Sequence, residues 1–477
     1  MVSGPHCLWA NLDIGIPASI NFLDTSGYAR FGLAPEATDV TLPNPINANT
    51  NSSGTNRHAA IVLSTNKING APQILRLTGT VGGVGGLRLL SPGNGDAGDL
   101  YLSPGNTYQG GTRIGTGRLF VSSADALGDG STTNLRASSI GFIRFETRSD
   151  SHLVVMNDID FPASHSIAVQ DDATANLDVG AFNVVIRGFI TNFDSPSVNG
   201  GHLRKLGSGT LTLYGTNGYT GITRVSQGTL VVGDPASLPA NNRVQFGPSG
   251  TLRLAAAGSY SIGSISPVVI TNSAGPTNTE TMAGVLNLGV SGVNVTVASV
   301  PVWPAGSTLQ VANLANGSVR LPTSITTDQL AMIKSAENGA LYANIDGSGN
   351  LSFSSTPPVP AGQTFSNWSG GAPMTSNLVT KYGIGGATNS SATSEAISSV
   401  VGSNTLSITA VVRTNDTKLS VVGEAATGLT NWSTNEVTST PSANTSGVAE
   451  GCQRRVFSVN RGTDDKKFLR LKATLQP

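Results

Sequence analysis

Residues 209–232 read GTLTLYGTNGYTGITRVSQGTLVV, and residues 98–121, earlier in the chain, read GDLYLSPGNTYQGGTRIGTGRLFV. Leu100 and Leu102 fall on Leu211 and Leu213, Tyr108 on Tyr219, Gly110 on Gly221, and Thr112-Arg113-Ile114 on Thr223-Arg224-Val225. Gly117 then falls on Gly228, and Leu119 and Val121 on Leu230 and Val232. Apolar and polar residues alternate at both ends of each copy, the period of a strand that buries one face only. Gly, Asn, Ser and Asp punctuate the strands at intervals of roughly 8–12 residues, as turns do. One such strand has no core of its own. If the chain winds so that every inward side chain stacks on its neighbour one coil away, Leu, Val and Ile close into a continuous apolar column and the backbone pairs between coils.

The main part of the chain, residues 1–320, is therefore expected to be all-β and to form a right-handed parallel β-helix, with Leu211, Leu213, Leu230 and Val232 pointing inward. Gly110, Gly117, Gly221 and Gly228 are expected at corners that need positive φ. Tyr108 and Tyr219 are expected to cover the end of the apolar column. Weaker matches, LTGTVGGVGGLRLL (77–90) and IRGFITNFDSPSVNGGHLRKL (186–206), precede the two copies. They suggest that the repeating unit is the whole interval from one copy to the next and contains several strands.

Composition agrees. Charged residues are 12% of the 477, where roughly 25% is usual, and there are 58 Gly, so long helices with solvated Glu and Lys faces are disfavoured. The 38% of hydrophobic residues, set in alternating rows, is enough to bury a core and argues against disorder. Formal net charge is zero, which gives no support to a nucleic-acid binder. No apolar run is long enough for a helical membrane span. The first residues, MVSGPHCLWANLDIG, lack the basic and apolar regions of a signal peptide, so an N-terminus truncated relative to the true start is expected. Cys7 and Cys452 are the two cysteines, and whether they pair is open.

The two copies resemble the autotransporter-associated β-strand repeat, also called the passenger-associated transport repeat, with its pattern G-x-G-T-L-T-L-x-G-x-N-x-Y-x-G-x-T-x-V-x-x-G-T-L-x-V. Residues 207–232 follow it closely and 98–121 clearly. The resemblance implies a secreted or cell-surface bacterial protein, a structural, adhesin-like stalk without a catalytic site in the repeat. The C-terminal end, FLRLKATLQP, departs from an autotransporter's own barrel, so export by another route is implied.

Beyond the solenoid, Thr326 and Gln329 form a capping-box pattern ahead of Leu330 and Ile333, predicting a short helix and then a hairpin turning at Asp346-Gly347. Residues 321–353 are expected to close the solenoid. STPPVPAG follows as a stiff linker, 354–362. Residues 363–477 read as a small β-sandwich-like domain, with strand candidates 404–413, 418–423, 454–460 and 467–475. This module is similar to one found on repeat proteins of Verrucomicrobia-like bacteria. From Cys452 to Lys472 it gathers a local net charge of +5. On its last strand Leu469, Leu471, Ala473 and Leu475 alternate with Phe468, Arg470, Lys472 and Thr474, so Arg470 and Lys472 are candidates for contact with an anionic surface polymer.

For chemistry, the alternative to a stalk is a carbohydrate-active β-helix, a polysaccharide hydrolase or lyase, which needs convergent carboxylates as general acid and base. Asp158 and Asp160 alternate onto one strand face with Asp171 about one coil later, and His202, Arg204 and Lys205 follow. Solvated turn carboxylates explain the same residues. The five histidines show no ligand spacing, and the Gly82–Gly86 run lacks the Asp of calcium-binding repeats, so neither metal nor cofactor is expected. Asp346-Gly-Ser-Gly-Asn350 lacks the following bidentate Glu of a calcium loop and reads as a turn. Trp368 and Trp432 carry a sugar-stacking reading beside a packing one. The expected partner is a cell-surface or extracellular polysaccharide, with no nucleic acid.

Overall fold

A computed structural model describes residues 7–10, 19–21, 30–34, 37–48, 58–63, 70–91, 98–129, 143–146, 151–193, 200–270, 278–279, 281–355, 383, 397–402, 404–414, 416, 418–444, 448, 451–464 and 466–475. The chain divides into two compact units, Met1–Pro322 and Thr323–Pro477. The linker 354–362 falls almost wholly outside the described residues, as does Trp368.

The first unit is a parallel β-helix built of stacked rows. One row holds eight strands, from Cys7–Ala10 through Thr112–Ile114 to Ile190–Phe193. A second runs through Asp39–Leu42, Ile74–Leu77, Asp99–Leu102, Gly117–Val121, Ser151–Val155, Thr174–Asp178 and His202–Leu206, then into the first half of the strand Ile222–Val232. A third takes Ile159–Phe161, Asn183–Ile186, Thr210–Leu213 and the far half of Ile222–Val232, and continues through Asn242–Leu254 and Ala283–Leu288 to Thr308–Ala312. Leu75, Leu100, Leu119, Leu153 and Leu177 lie in register across five coils of the second row, all buried. Each contributes roughly 1.5–3 kcal/mol by leaving water. Leu211, Leu213, Leu230 and Val232 point into the same core, as the alternation predicts.

Each motif copy is one coil. Leu100 pairs with Leu119 and Leu211 with Leu230, so the two Leu-rich ends of a copy are the same strand position in successive coils. The coil is what repeats, not the longer interval between the copies. The two copies are also set one face apart. Asp99–Leu102 lies on the second row and Thr210–Leu213 on the third, so that interval is not a whole number of coils.

Gly117 and Gly228 have positive φ, +93° and +61°, as expected. Gly110 and Gly221 do not, and their requirement is space. A Cβ at Gly110 would collide with the Gly86 nitrogen, and one at Gly221 with His202 Nδ1. Tyr108 and Tyr219 lie wholly inside, each sharing a 2.6 Å hydrogen bond with a threonine hydroxyl, Thr112 and Thr223.

In the second unit, Thr327–Ala331 is the expected helix, with Gln329 N–H donating to Thr326 Oγ1 at 3.2 Å and Thr326 N–H to Gln329 Oε1 at 2.8 Å. The hairpin Tyr342–Ile345 with Leu351–Ser354 turns where Asp346 Oδ1 accepts the N–H groups of Ser348 and Asn350. The C-terminal sheets are antiparallel. Ile397–Val401, Thr405–Arg413, Cys452–Asn460 and Val437–Pro441 make one, and Leu419–Ala426 with Phe468–Leu475 make the other. Ala410, Val412 and Phe457 of the first pack on Val421 and Leu471 of the second, a sandwich-like core. Two further strands, Ile397–Val401 and Val437–Pro441, are not among the sequence candidates; in the second, Thr438, Ser439 and Thr440 are all exposed, so no apolar alternation marks it.

Leu211→Ala and Leu230→Ala are each expected to cost about 2–5 kcal/mol in denaturant unfolding. Because the two side chains share one column, the double variant is expected to depart from additivity by at least about 0.5 kcal/mol. Strict additivity would contradict the register.

Candidate functional site

The solenoid's outward faces carry charges that are tied from coil to coil at several places. Asp160 pairs with Arg187 at 2.7 Å, Asp99 with Arg118 at 2.6 Å, and Asp39 with Arg76 at 3.1 Å. Tyr101 stacks flat on Phe120 with ring centroids 4.2 Å apart, and the Arg76 guanidinium covers Tyr101 at 4.1 Å. These side chains stand in register on the outside of parallel strands, so each coil meets the next through an ion pair or a ring face.

The carboxylates that suggested an enzyme do not share one row. Asp158 and Asp160 flank Ile159 on the third row, whereas Asp171 follows Ile167–Gln170 on the eight-stranded row. Asp158 Oδ1 accepts the Asn183 N–H at 2.8 Å and Asp160 holds Arg187, so both join neighbouring coils. Asp171 Oδ1 is buried and has no hydrogen-bond partner among the described residues. His202 Nδ1 accepts the Ile222 N–H at 2.9 Å. Burial, then the charges of Arg224 and Arg243, push its pKa down to about 4, leaving a neutral ring at pH 7.

Lys205 turns inward, in register with Leu177 and Val225. Its side chain is buried, and Nζ donates to the carbonyl oxygens of Gly207 at 2.6 Å and Leu206 at 3.2 Å. Burial lowers its pKa to about 8. A Cβ at Gly228 would lie 2.7 Å from that nitrogen, so the glycine leaves room for the cation.

Asn106 and Asn217 were not singled out in the sequence, although they coincide when the copies are aligned. Each ties three coils together. Asn217 Oδ1 accepts the Ile190 N–H at 2.7 Å and its Nδ2 donates to the Ser237 carbonyl at 2.7 Å. Asn106 does the same between Val81 and Ala126, both at 2.7 Å. The matched Asn-x-Tyr spacing was the available signal.

On the eight-stranded row, Arg88, Arg113 and Arg144 occupy one outward position in successive coils. Glu146 lies 2.9 Å from Arg88 and 3.4 Å from Arg113, and Arg144 stacks on Phe193 at 3.8 Å. His58 is buried beside them, and burial and these arginines hold it well below the ordinary histidine range.

On the last C-terminal strand the alternation holds: Leu469, Leu471, Ala473 and Leu475 are half-buried, Phe468, Arg470, Lys472 and Thr474 exposed. Arg470 and Lys472, however, both reach Glu424 on the paired strand, at 2.7 Å and 3.1 Å. Neutralisation of this pair comes from Glu424, while Asp464 and Glu436 serve Lys467. Arg470 also covers one face of Trp432 at 4.1 Å. Cys452 is a free, half-buried thiol, and the side chain of Cys7 lies outside the described residues. Among the described residues, no group of three His, Cys, Asp or Glu side chains gathers as metal ligands.

The family model of the passenger-associated-transport-repeat matches residues 96–120 and 203–232. Neither the curated proteins nor the solved structures contain a match to the chain. The protein is thus a parallel β-helix that carries passenger-associated transport repeats at two places.

Asn217→Ala is expected to destabilise by about 2–6 kcal/mol, because it strands a buried N–H and a buried C=O, each costing about 1–3 kcal/mol. Asn217→Asp, which keeps one acceptor, is expected to lose less. Lys205 generates a pH prediction. Its folded pKa lies below the unfolded value, so between about pH 8 and 10.5 the unfolded chain binds more protons and stability rises with pH. Burial holds the Tyr108 and Tyr219 hydroxyls above their ordinary range, so they act in the opposite direction, above about pH 10. In Lys205→Met the rise between pH 8 and 9.5 is expected to flatten relative to the parent. Parallel pH profiles would refute the inward cation.

Proposed function

We propose that this chain is a secreted or cell-surface bacterial stalk that works by display and adhesion, contacts extracellular polysaccharide and has no catalytic activity. The observation that carries this reading is the pair of passenger-associated transport repeats within a continuous stack of coils. The engagement of the outward carboxylates supports it. Asp158 and Asp160 each join one coil to the next, the task Asp39 and Asp99 perform elsewhere, whereas a general acid or base must face a bound substrate.

The C-terminal unit is proposed as an attachment device. Arg470 and Lys472 remain about half exposed while sharing Glu424, which leaves one net positive charge among the three. An exposed contact of this kind contributes about 1 kcal/mol or less and weakens with salt. Retention of the Arg470→Gln, Lys472→Gln double variant on cells is therefore expected to fall modestly at low ionic strength and to match the parent at high ionic strength. Equal retention at both would remove the attachment role.

The rival class, a polysaccharide hydrolase or lyase, is addressed by incubating the purified chain with pectin, alginate and glycosaminoglycans. No release of reducing ends or unsaturated sugars is expected. Activity that disappears in Asp160→Asn or Asp171→Asn would establish the enzyme instead.

A further inference from the structure

On the outside of the third row, successive coils set Thr210, Thr229, Thr251 and Val285 opposite one another, and two residues further along each strand Thr212, Val231, Arg253 and Asn287. The inward residues between these two lines, Leu211, Leu230, Leu252 and Leu286, are buried and hold both lines in register. Among these described positions Arg253 is the charged one, and it leans aside over Gly289, where a Cβ would lie 2.8 Å from its Nε. The neighbouring rows, and the start of this one, are laced by ion pairs such as Asp99 with Arg118, Arg88 with Glu146 and Asp160 with Arg187. Here threonine takes their place.

The threonine hydroxyls are not used within the protein. Those of Thr210, Thr212, Thr229 and Thr251 make no hydrogen bond among the described residues, and none of the four oxygens is buried, so each opens to solvent. On another outward face the small polar side chains do pair: Ser318 Oγ donates to Asn294 Oδ1 at 2.8 Å, and Ser261 Oγ to Asn241 Oδ1 at 2.6 Å. At the border of the threonine face stands Tyr214, two residues past Thr212 and 47% exposed, with the Arg187 guanidinium 5.3 Å from its ring centroid. Gly233 lies beside it in the next coil, and a Cβ there would sit 2.5 Å from Tyr214 Cε1, so the missing side chain lets the ring lean over that coil. The Tyr214 hydroxyl makes no hydrogen bond among the described residues.

We infer that this face binds a neutral polysaccharide, its chain laid along the solenoid axis over the threonine lines with a sugar ring stacked against Tyr214. This rests on the display reading above and gives it a ligand class. A pyranose carries hydroxyl groups around its rim and a C–H face that packs on an aromatic ring, and this surface offers a partner for each. Coils about 4.8 Å apart repeat the same hydroxyl along the axis, so an extended polymer makes one weak contact several times over and gains avidity that a single sugar would not. A nucleic acid or another polyanion takes its affinity from a set of cations, which these lines do not carry.

The test titrates the full chain with two neutral polymers, β-glucan and galactomannan, and with polygalacturonate, each at low and high salt. At least one neutral polymer is expected to bind equally well at both salts, and polygalacturonate to bind more weakly and at low salt only, the behaviour expected of Arg470 and Lys472. Tyr214→Ala is expected to weaken neutral-polymer binding tenfold or more, and Tyr214→Phe to keep most of it. Thr229→Val with Thr251→Val removes two hydroxyls while keeping β-branched side chains suited to a strand, and is expected to weaken binding severalfold. Thr296→Val, at an exposed position of Val293–Ser299, is expected to leave it unchanged. Binding of neither neutral polymer, tighter binding of polygalacturonate, or parent-like binding by either Tyr214→Ala or the threonine double variant would overturn the assignment. Self-association of the chain that Tyr214→Ala abolishes would overturn it too, since the face would then join two copies. Cell retention, measured in parallel, reports the display reading separately: a chain retained on cells that binds neither neutral polymer loses this face and keeps the stalk.

Discussion

Everything in the solenoid depends on one constraint, that a short parallel strand with one apolar face is unstable until another lies directly above it in register. The backbone groups of such a strand have no partners within the strand, and its leucines have no core but the column formed by their neighbours. Register is therefore absolute: a slip of one residue would send Leu100 or Leu211 outward and Tyr101 or Thr212 inward. The corners are where the constraint is enforced. Buried Tyr108 and Tyr219, the asparagines between coils, and glycines pressed against backbone atoms fix the point at which each strand begins.

This constraint also organises the exterior. Once the coils are in register, outward residues become ladders whether or not their charges suit one another. Alternate signs give coil-to-coil ion pairs, as in Asp99 with Arg118. Repeated signs gather Arg88 and Arg113 around the carboxylate of Glu146.

The fold was legible because its signal is short-range and repeated. Alternation named the inward leucines, two aligned copies named the winding, and Thr326 with Gln329 named the helix start. The size of the repeat was misread because only the two copies closest in sequence to one another stand out. The coils between them keep the apolar positions but not the motif. The glycine roles at 110 and 221 were invisible because close approach involves residues a whole coil away, while positive φ is a local property. The site was harder still. Asp158, Asp160 and Asp171 looked convergent because strand alternation says which side a residue faces, but not which row it joins. Arg470 and Lys472 looked unbalanced because Glu424 is distant in sequence and adjacent only through strand pairing. Arg204 and Arg224 could be matched with one another only once the register was known.

The short interval between paired positions bears on how such a chain acquires its structure. Leu119 meets Leu100 of the coil just before it, and the longer step from Val40 to Leu75 still spans a single coil. A chain emerging gradually from one end finds each docking surface already in place, and the loop that must close stays short at every step. Asn217 shows the same nearest-neighbour logic in one side chain, since it joins Ile190 of the coil on one side to Ser237 of the coil on the other. The architecture is thus one of nearest neighbours, like courses in a wall. Each course needs only the one beside it as its template, so the length of such a stack is set by the number of coils and not by the closing of any long loop.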